Sequence, residues 1–311
     1  MPTTDRFPRE DPFRPRPFPS PAESRWTGDA ICYGPHRDGQ SPGGDGPSPA
    51  EIGEDLRLMG PRWRLLRTYG ASGFAETLLA LIRERGLDMR VMLGVWIAPD
   101  DTSANRHEVE AAVRLAAVYP ELVVAVCVGN ETQVSWSGYR CAPELLLGYL
   151  REVRSRVTVP VTTADDIKYW VEPESRAVAD EIDFITLHAH PLWNGKQLAE
   201  AAAWLHERTA AVAALHPDRS VVIGETGWAT AVHVEGEQAR LIKGRTGETE
   251  QKRFYDEVRA WAESARRTVF FFEAFDENWK GGPHPDEVEK HWGLFRADRS
   301  PKAAVAPGAD R

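Results

Sequence analysis

Along the chain, short runs of β-branched and other apolar residues alternate with longer stretches in which apolar positions recur every three or four residues. The runs begin near Ile31 (AICYG), Leu65 (LLRTYG), Val91 (VMLGVWI), Val123 (VVAVCVGNE), Val161 (VTTAD), Phe184 (FITLHAHP), Val221 (VVIGETGW) and Val269 (VFFFEAFDENW). Most are nearly continuous in apolar residues, as strands buried on both faces of a parallel sheet are. Between them, Val109, Ala112, Val113 and Ala116 share one helical face, and Phe254, Val258, Trp261 and Ala262 share another. Asn105 with Glu108, and Asn194 with Gln197, have the side chains and offset of capping-box starts. Eight strand-plus-helix units, with one long excursion before the last strand, predict a single-domain (β/α)8 TIM barrel. A doubly wound nucleotide-binding sheet would carry a Gly-rich phosphate loop after its first strand. The segment found there, GPHRDGQSPGGDGPSP, has neither GxGxxG nor a P-loop.

The first 25 residues break the rhythm. They are dense in Pro and charge and lack the apolar centre of a signal peptide. Residues 1–27 are therefore expected to form a flexible tail, residues 28–306 the barrel and residues 307–311 a short C-terminal tail. The longest apolar stretch, Leu122 to Val128, is far below the ~18 residues that span a bilayer. A cytoplasmic protein with no membrane partner is expected. Against 38 Lys and Arg stand 47 Asp and Glu, a net charge of −9 that argues against a nucleic-acid partner. Cys32, Cys127 and Cys141 have no metal-ligand spacing and read as small buried hydrophobes. A monomer with no metal and no cofactor is expected. The 11 Trp residues change the picture more, because they serve either a heavily aromatic core or flat platforms for sugar rings.

In such barrels chemistry sits where strands end. Those positions hold Tyr33, Arg67, Tyr69, Trp96, Asn130, Glu131, Asp165, Asp166, His188, His190, Glu225, Trp228, Glu273, Asp276 and Glu277. They contain no Ser-His-Asp order, His-Glu zinc motif or Cys-His pair. Glu131 and Glu225 end strands four and seven, which face each other across a closed barrel. Two facing carboxylates are what glycosidic cleavage requires, one protonating the leaving oxygen and the other attacking the anomeric carbon.

The strings YGPHRDGQSP, LRTYG, GNE, GETGW and FFFEAFDENWK with HWGLF, in this order, resemble glycoside hydrolase family 17, from about Ala30 to about Val305. The resemblance implies a retaining (β/α)8 enzyme acting on a β-1,3-glucan oligo- or polysaccharide, by hydrolysis or by transfer. It makes Glu131 the acid/base, Glu225 the nucleophile and Asn130 a contact to the sugar 2-hydroxyl. It places Tyr33, Tyr69 and Trp228 around the reacting sugar. Glu273, Asp276, Glu277, Trp279 and Lys280 match a segment in which an acidic residue and a Lys contact sugar hydroxyls. Two departures line the cleft: Thr132 to Trp136 after strand four, and His190-Pro191 where the family often has Tyr-Pro.

Of His188 and His190, one is expected in the cleft and one packed. Trp136 and Trp279 are candidate sugar platforms, whereas Trp63, Trp193, Trp204 and Trp261 belong to the core beside helices. The Ala229–Gly247 loop is expected to shape the acceptor side. The rival readings are a non-catalytic glucan-binding barrel and another retaining β-glycosidase of the same clan.

Overall fold

Each of the eight apolar runs forms a parallel strand, and the strands close on themselves in sequence order, β1 pairing with both β2 and β8. The computed structural model describes residues 6–19 and 30–307; the rest of the expected N-terminal tail, and residues 308–311 of the C-terminal one, lie outside the described residues. The order is β1 (Ala30–Cys32), α1 (Pro49–Met59), β2 (Leu65–Arg67), α2 (Ala75–Glu84), β3 (Arg90–Val95), α3 (Thr102–Val118), β4 (Val123–Asn130) and α4 (Pro143–Arg156). It continues with β5 (Val161–Asp166), short helices α5 (Ile167–Trp170) and α6 (Ser175–Ala179), β6 (Ile185–His188) and α7 (Leu198–Leu215). Then come β7 (Val221–Thr226), α8 (Gly236–Leu241), α9 (Glu248–Ser264), β8 (Val269–Phe271) and a 3-10 turn, Val288–Lys290. No helix among the described residues is long and apolar enough to cross a membrane.

The strands are buried on both faces because helices cover the outside and side chains fill the inside. The predicted helical faces are the ones that pack: Val109, Ala112 and Ala116 of α3, and Phe254, Val258 and Ala262 of α9, are buried. The caps differ from expectation. Asp101 caps α3, while Asn105 lies one turn in, where its buried amide exchanges two hydrogen bonds with the Ala98 backbone. The capping box of α7 pairs Gln197 with Glu200, not Asn194 with Gln197. Offset alone does not locate a cap, since the residue before it must also have left helical geometry.

The expectation of a flexible N-terminal tail fails for residues 13–18, which pack on the barrel floor opposite the strand C-termini. Phe18 is buried against Phe184, ring centroids 4.7 Å apart, and the Phe13 ring lies under the guanidinium groups of Arg154 (4.1 Å) and Arg219 (4.9 Å). Arg16 donates to the carbonyls of Arg154 (2.8 Å), Val157 (2.7 Å) and Val159 (2.8 Å), and its backbone N–H donates to Asp183 Oδ1 (2.7 Å). Proline spacing keeps this segment extended, so its aromatic and cationic side chains reach the floor without helix or strand. Arg16→Ala is expected to lower stability by about 2 kcal/mol in urea unfolding, the loss of a multiply bonded charged donor. An unchanged midpoint and slope would show that the strap adds nothing to stability.

Candidate active site

The end of β4 is aimed by its backbone. Pairing with β5 shifts register between Cys127 and Asn130, Gly129 has φ 82° and Glu131 itself has φ 50°. Left-handed backbone costs a non-glycine residue roughly 1–2 kcal/mol. A Cβ at Gly129 would also meet Leu146 and Thr132 at 3.1 Å. The kink brings the consecutive residues Asn130 and Glu131 to the barrel mouth together. Behind them, Glu131 N–H donates to the Ala164 carbonyl (2.9 Å), and the buried Asp165 carboxyl accepts from Gln133 N–H (2.8 Å) and Asp166 N–H (2.9 Å). Burial pushes the Asp165 carboxyl up to about 8 despite these two bonds. Asp166 caps α5 through Lys168 N–H.

Glu225, the penultimate residue of β7, is 6% exposed. Its Oε1 accepts from Arg67 Nη1 (2.7 Å) and Tyr69 Oη (2.8 Å), and its Oε2 lies 3.3 Å from His190 Nε2. Burial alone would favour the protonated acid; His188, the His190 hydrogen bond and the Arg67 guanidinium outweigh it and hold the carboxyl well below the usual carboxylate range. The preceding Gly224 is required because a Cβ there would strike Thr186 Cγ2 at 2.2 Å. Arg67 also donates to the Gly224 carbonyl (3.0 Å) and to Asn130 Oδ1 (2.6 Å), tying the ends of β4 and β7 to β2.

His188, which ends β6, and His190, two residues beyond it, both reach the mouth, which corrects the expectation that one would pack away. Side chains two apart on a strand share a face. His188, fully buried, bridges the two carboxylates, with Nδ1 3.0 Å from Glu131 Oε1 and Nε2 3.4 Å from Glu225 Oε1. One oxygen of each glutamate and one His188 nitrogen lie within 4.8 Å of one another. These three groups offer the donor atoms of a cation site, but Arg67 and Tyr69 already occupy Glu225 Oε1 and place positive charge against it.

The segment after β8 divides. Lys280 Nζ donates to both oxygens of Glu273 (2.7 Å each) and lies 2.9 Å from Glu277 Oε2, while His36 Nδ1 is 3.1 Å from Glu277 Oε1. Burial opposes charge on Lys280, but the two carboxylates raise its pKa well above the usual lysine value. Burial, with Glu277 nearby, holds Glu273 toward its protonated form, while Lys280 and His36 outweigh burial at Glu277 and keep it ionised. Asp276 does not join them. It is buried against Lys302 (2.8 Å) and Gly293 N–H (2.9 Å), because alternation turns it outward from its neighbours.

The aromatic expectations also divide. Tyr33 is fully buried with its hydroxyl on Asp55 (3.0 Å), and Trp228 is 1% exposed with its indole N–H on the Arg245 carbonyl (2.9 Å). Neither has a free ring face for a sugar, which corrects both assignments. Trp136, 53% exposed under Lys168, and Trp279, 42% exposed, do have one. Trp96 and Tyr139 form an edge-to-face pair with centroids 4.6 Å apart.

Arg67, a lone charge ending an apolar strand, carries no assigned role in the sequence reading, and Glu289 is missed by it altogether. Glu289 stands on the 3-10 turn, accepts from Trp193 Nε1 (3.1 Å), and has its carboxyl raised by burial, opposed by Lys280 and His190. Trp193, expected in the core, is thereby turned toward this rim. The Ala229–Gly247 loop carries α8 and is tied to the excursion after β8 by Gln238, whose amide donates to Glu287 Oε2 (2.6 Å) and accepts from Val288 N–H (3.0 Å).

The chain is 28% identical over 281 residues to a glucan 1,3-beta-glucosidase of Arthroderma benhamiae, covering 84% of this chain and 86% of that one. It superposes on an endo-laminarinase from Formosa Hel1_33_131 with a TM-score of 0.77 and 26% identity, covering 89% of this chain and 85% of that one. A glycoside hydrolase family 17 β-1,3-glucanosyltransferase from Rhizomucor miehei gives a TM-score of 0.74 and 27% identity, with 91% and 98% covered. Residues 30–293 match the family model of the BtgE/BtgC glycoside hydrolase domain, and the chain belongs to that family.

Proposed function

We propose that this chain is a retaining β-1,3-glucan-active glycoside hydrolase or transglycosylase, with Glu225 as nucleophile and Glu131 as acid/base. The observation that carries the reading is the approach of the two carboxylates, an oxygen of each lying within 4.8 Å of the other. Retaining enzymes hold the pair about 5–5.5 Å apart, whereas inverting ones leave about 6.5–9.5 Å for a water.

In the first step Glu225 attacks C1 as Glu131 gives its proton to the glycosidic oxygen, the C1–O bond breaks, and the first sugar fragment leaves. In the second step Glu131 takes a proton from an incoming hydroxyl, whose oxygen attacks C1 and frees Glu225. Arg67 and Tyr69 keep the nucleophile ionised and fixed. Arg67 also leaves the Asn130 amide N–H groups free for the sugar 2-hydroxyl, since it occupies the amide oxygen. Lys280, Glu277 and Glu289 supply polar contacts to hydroxyls, and the exposed faces of Trp136 and Trp279 suit the apolar C–H face of a pyranose.

Water and a sugar hydroxyl compete for the same intermediate, and relatives of both kinds support the reading: the Formosa protein is an endo-laminarinase and the Rhizomucor protein a glucanosyltransferase. Laminari-oligosaccharides incubated with the protein distinguish them. Products longer than the substrate mean transfer, shorter products alone mean hydrolysis, and binding without product revives the non-catalytic barrel. The first-formed reducing end is expected as the β-anomer in time-resolved proton NMR; an α-anomer would overturn double displacement.

A further inference from the structure

The two oxygens of Glu225 are held unequally. Oε1 accepts from Arg67 and Tyr69, donors that keep their protons across the working pH range, and also lies near His188. Oε2 has one protein partner among the described residues, His190 Nε2 at 3.3 Å. With its lone pairs less occupied, Oε2 is the oxygen available to attack C1. The His190 ring is almost fully buried, edge-on to Phe272 (5.5 Å) and Trp292 (5.1 Å), and its Nδ1 is buried without a hydrogen-bond partner. Facing a carboxylate, Nε2 carries a proton in every state of the ring, so titration occurs at Nδ1.

We propose that His190 is a titrating clamp on the attacking oxygen: as imidazolium it locks Glu225 Oε2 in an ion pair and withholds it from C1, and as neutral imidazole it only orients it. The inference rests on the reading of Glu225 as nucleophile. The charged groups around the ring are Glu225 from β7, Glu131 just after β4, Asp166 from β5 and Glu289 from the 3-10 turn, with His188 two residues earlier at the end of β6. Lys280 Nζ lies 4.6 Å from the Phe272 ring centroid. Burial and the unpartnered Nδ1 oppose the imidazolium, but the Glu225 bond and charge, followed by Glu131 and Glu289, outweigh burial and raise His190 above the usual histidine value. Before attack the Nδ1 proton passes to solvent while Nε2 keeps its own. Once the glycosyl ester forms, the Glu225 charge is gone and the neutral ring is favoured. His190 therefore limits glycosylation on the acid side.

The test compares kcat/KM for laminaritriose from pH 4 to 9 in the wild type, His190→Gln, whose amide donates but does not titrate, His190→Tyr and His190→Phe. The acid limb is expected to move down by about one pH unit or more in the Gln and Tyr variants, the range separating imidazole from carboxylate titration. His190→Phe, lacking a donor, is expected to lose about 10- to 100-fold in kcat/KM, with the Gln or Tyr variant recovering part of it. An acid limb unmoved in both donor-bearing variants overturns the proposal. In the wild-type protein, trapping with a 2-deoxy-2-fluoroglucosyl fluoride and peptide mass spectrometry locates the ester. His190 titration followed by NMR is expected to fall to lower pH on trapping, and an unchanged midpoint overturns the proposal even if every variant misfolds. An ester found elsewhere than on Glu225 overturns the parent reading and this inference together; an ester on Glu225 with an unmoved titration overturns this inference alone.

Discussion

Glu225→Gln is expected to lower kcat on the order of 10⁴-fold or more while leaving the protein folded, because the amide cannot form the covalent intermediate. Glutamine is the informative replacement because of what surrounds the site. Arg67 is buried and donates to Glu225, to Asn130 and to the Gly224 carbonyl. Alanine there removes the countercharge of a buried guanidinium, and losing one member of a buried pair costs about 3–5 kcal/mol. Glu225→Ala should therefore lose both turnover and stability, whereas Glu225→Gln keeps an oxygen acceptor for Arg67 and Tyr69 and should lose chiefly turnover. The alanine variant opens room for a small nucleophile, and added azide should restore cleavage of an activated aryl glucoside with inverted anomeric configuration. Wild-type turnover surviving within about tenfold in Glu225→Gln would sink the assignment, since acid/base assistance alone supplies only about 10²–10⁴-fold.

Lys280→Met is expected to cost about 3–5 kcal/mol in urea unfolding at neutral pH, because two buried carboxyls then share no cation. The difference should depend on pH. Glu277 is held below the usual carboxylate range: burial opposes the charge, but Lys280 first, and then His36, outweigh it. Its contribution is present above the unfolded value and is lost as pH falls through the folded one. Glu273 is displaced upward by burial, with Glu277 adding to it and Lys280 opposing. Its raised value works against stability as pH rises, and removing Lys280 raises it further. Both effects make the Lys280→Met deficit larger at pH 7 than at pH 4. An equal deficit at the two pH values would mean that Lys280 acts through packing alone.

The eight strands and the two glutamates could be read from the chain because both are local. A buried parallel strand is a short apolar run whatever surrounds it, and Glu131 and Glu225 follow such runs directly. Tyr33 and Trp228 also follow strands, yet packing turned them to Asp55 and the Arg245 carbonyl rather than into the cleft. Asp276 sits between two site carboxylates in sequence and was turned to Lys302. Glu289 gave no local sign, since it stands on a 3-10 turn inside the long excursion after β8. The N-terminal segment read as loose by its Pro and charge content, but Arg16 found three carbonyls more than 130 residues away.

By itself, then, the sequence determined the barrel, the position of its mouth and the identity of the two facing carboxylates, because periodicity, β-propensity and strand-end position are properties of neighbours along the chain. Only the tertiary structure decided that Arg67 joins Asn130 to Glu225, that His188 and His190 both clamp the carboxylates, and which aromatic rings keep an open face. Those outcomes depend on register shifts in β4 and β6, on glycines where a Cβ has no room, and on closure that sets β2, β4, β6 and β7 around one opening. Each is a contact between residues distant in sequence, and no local pattern encodes the distance between them.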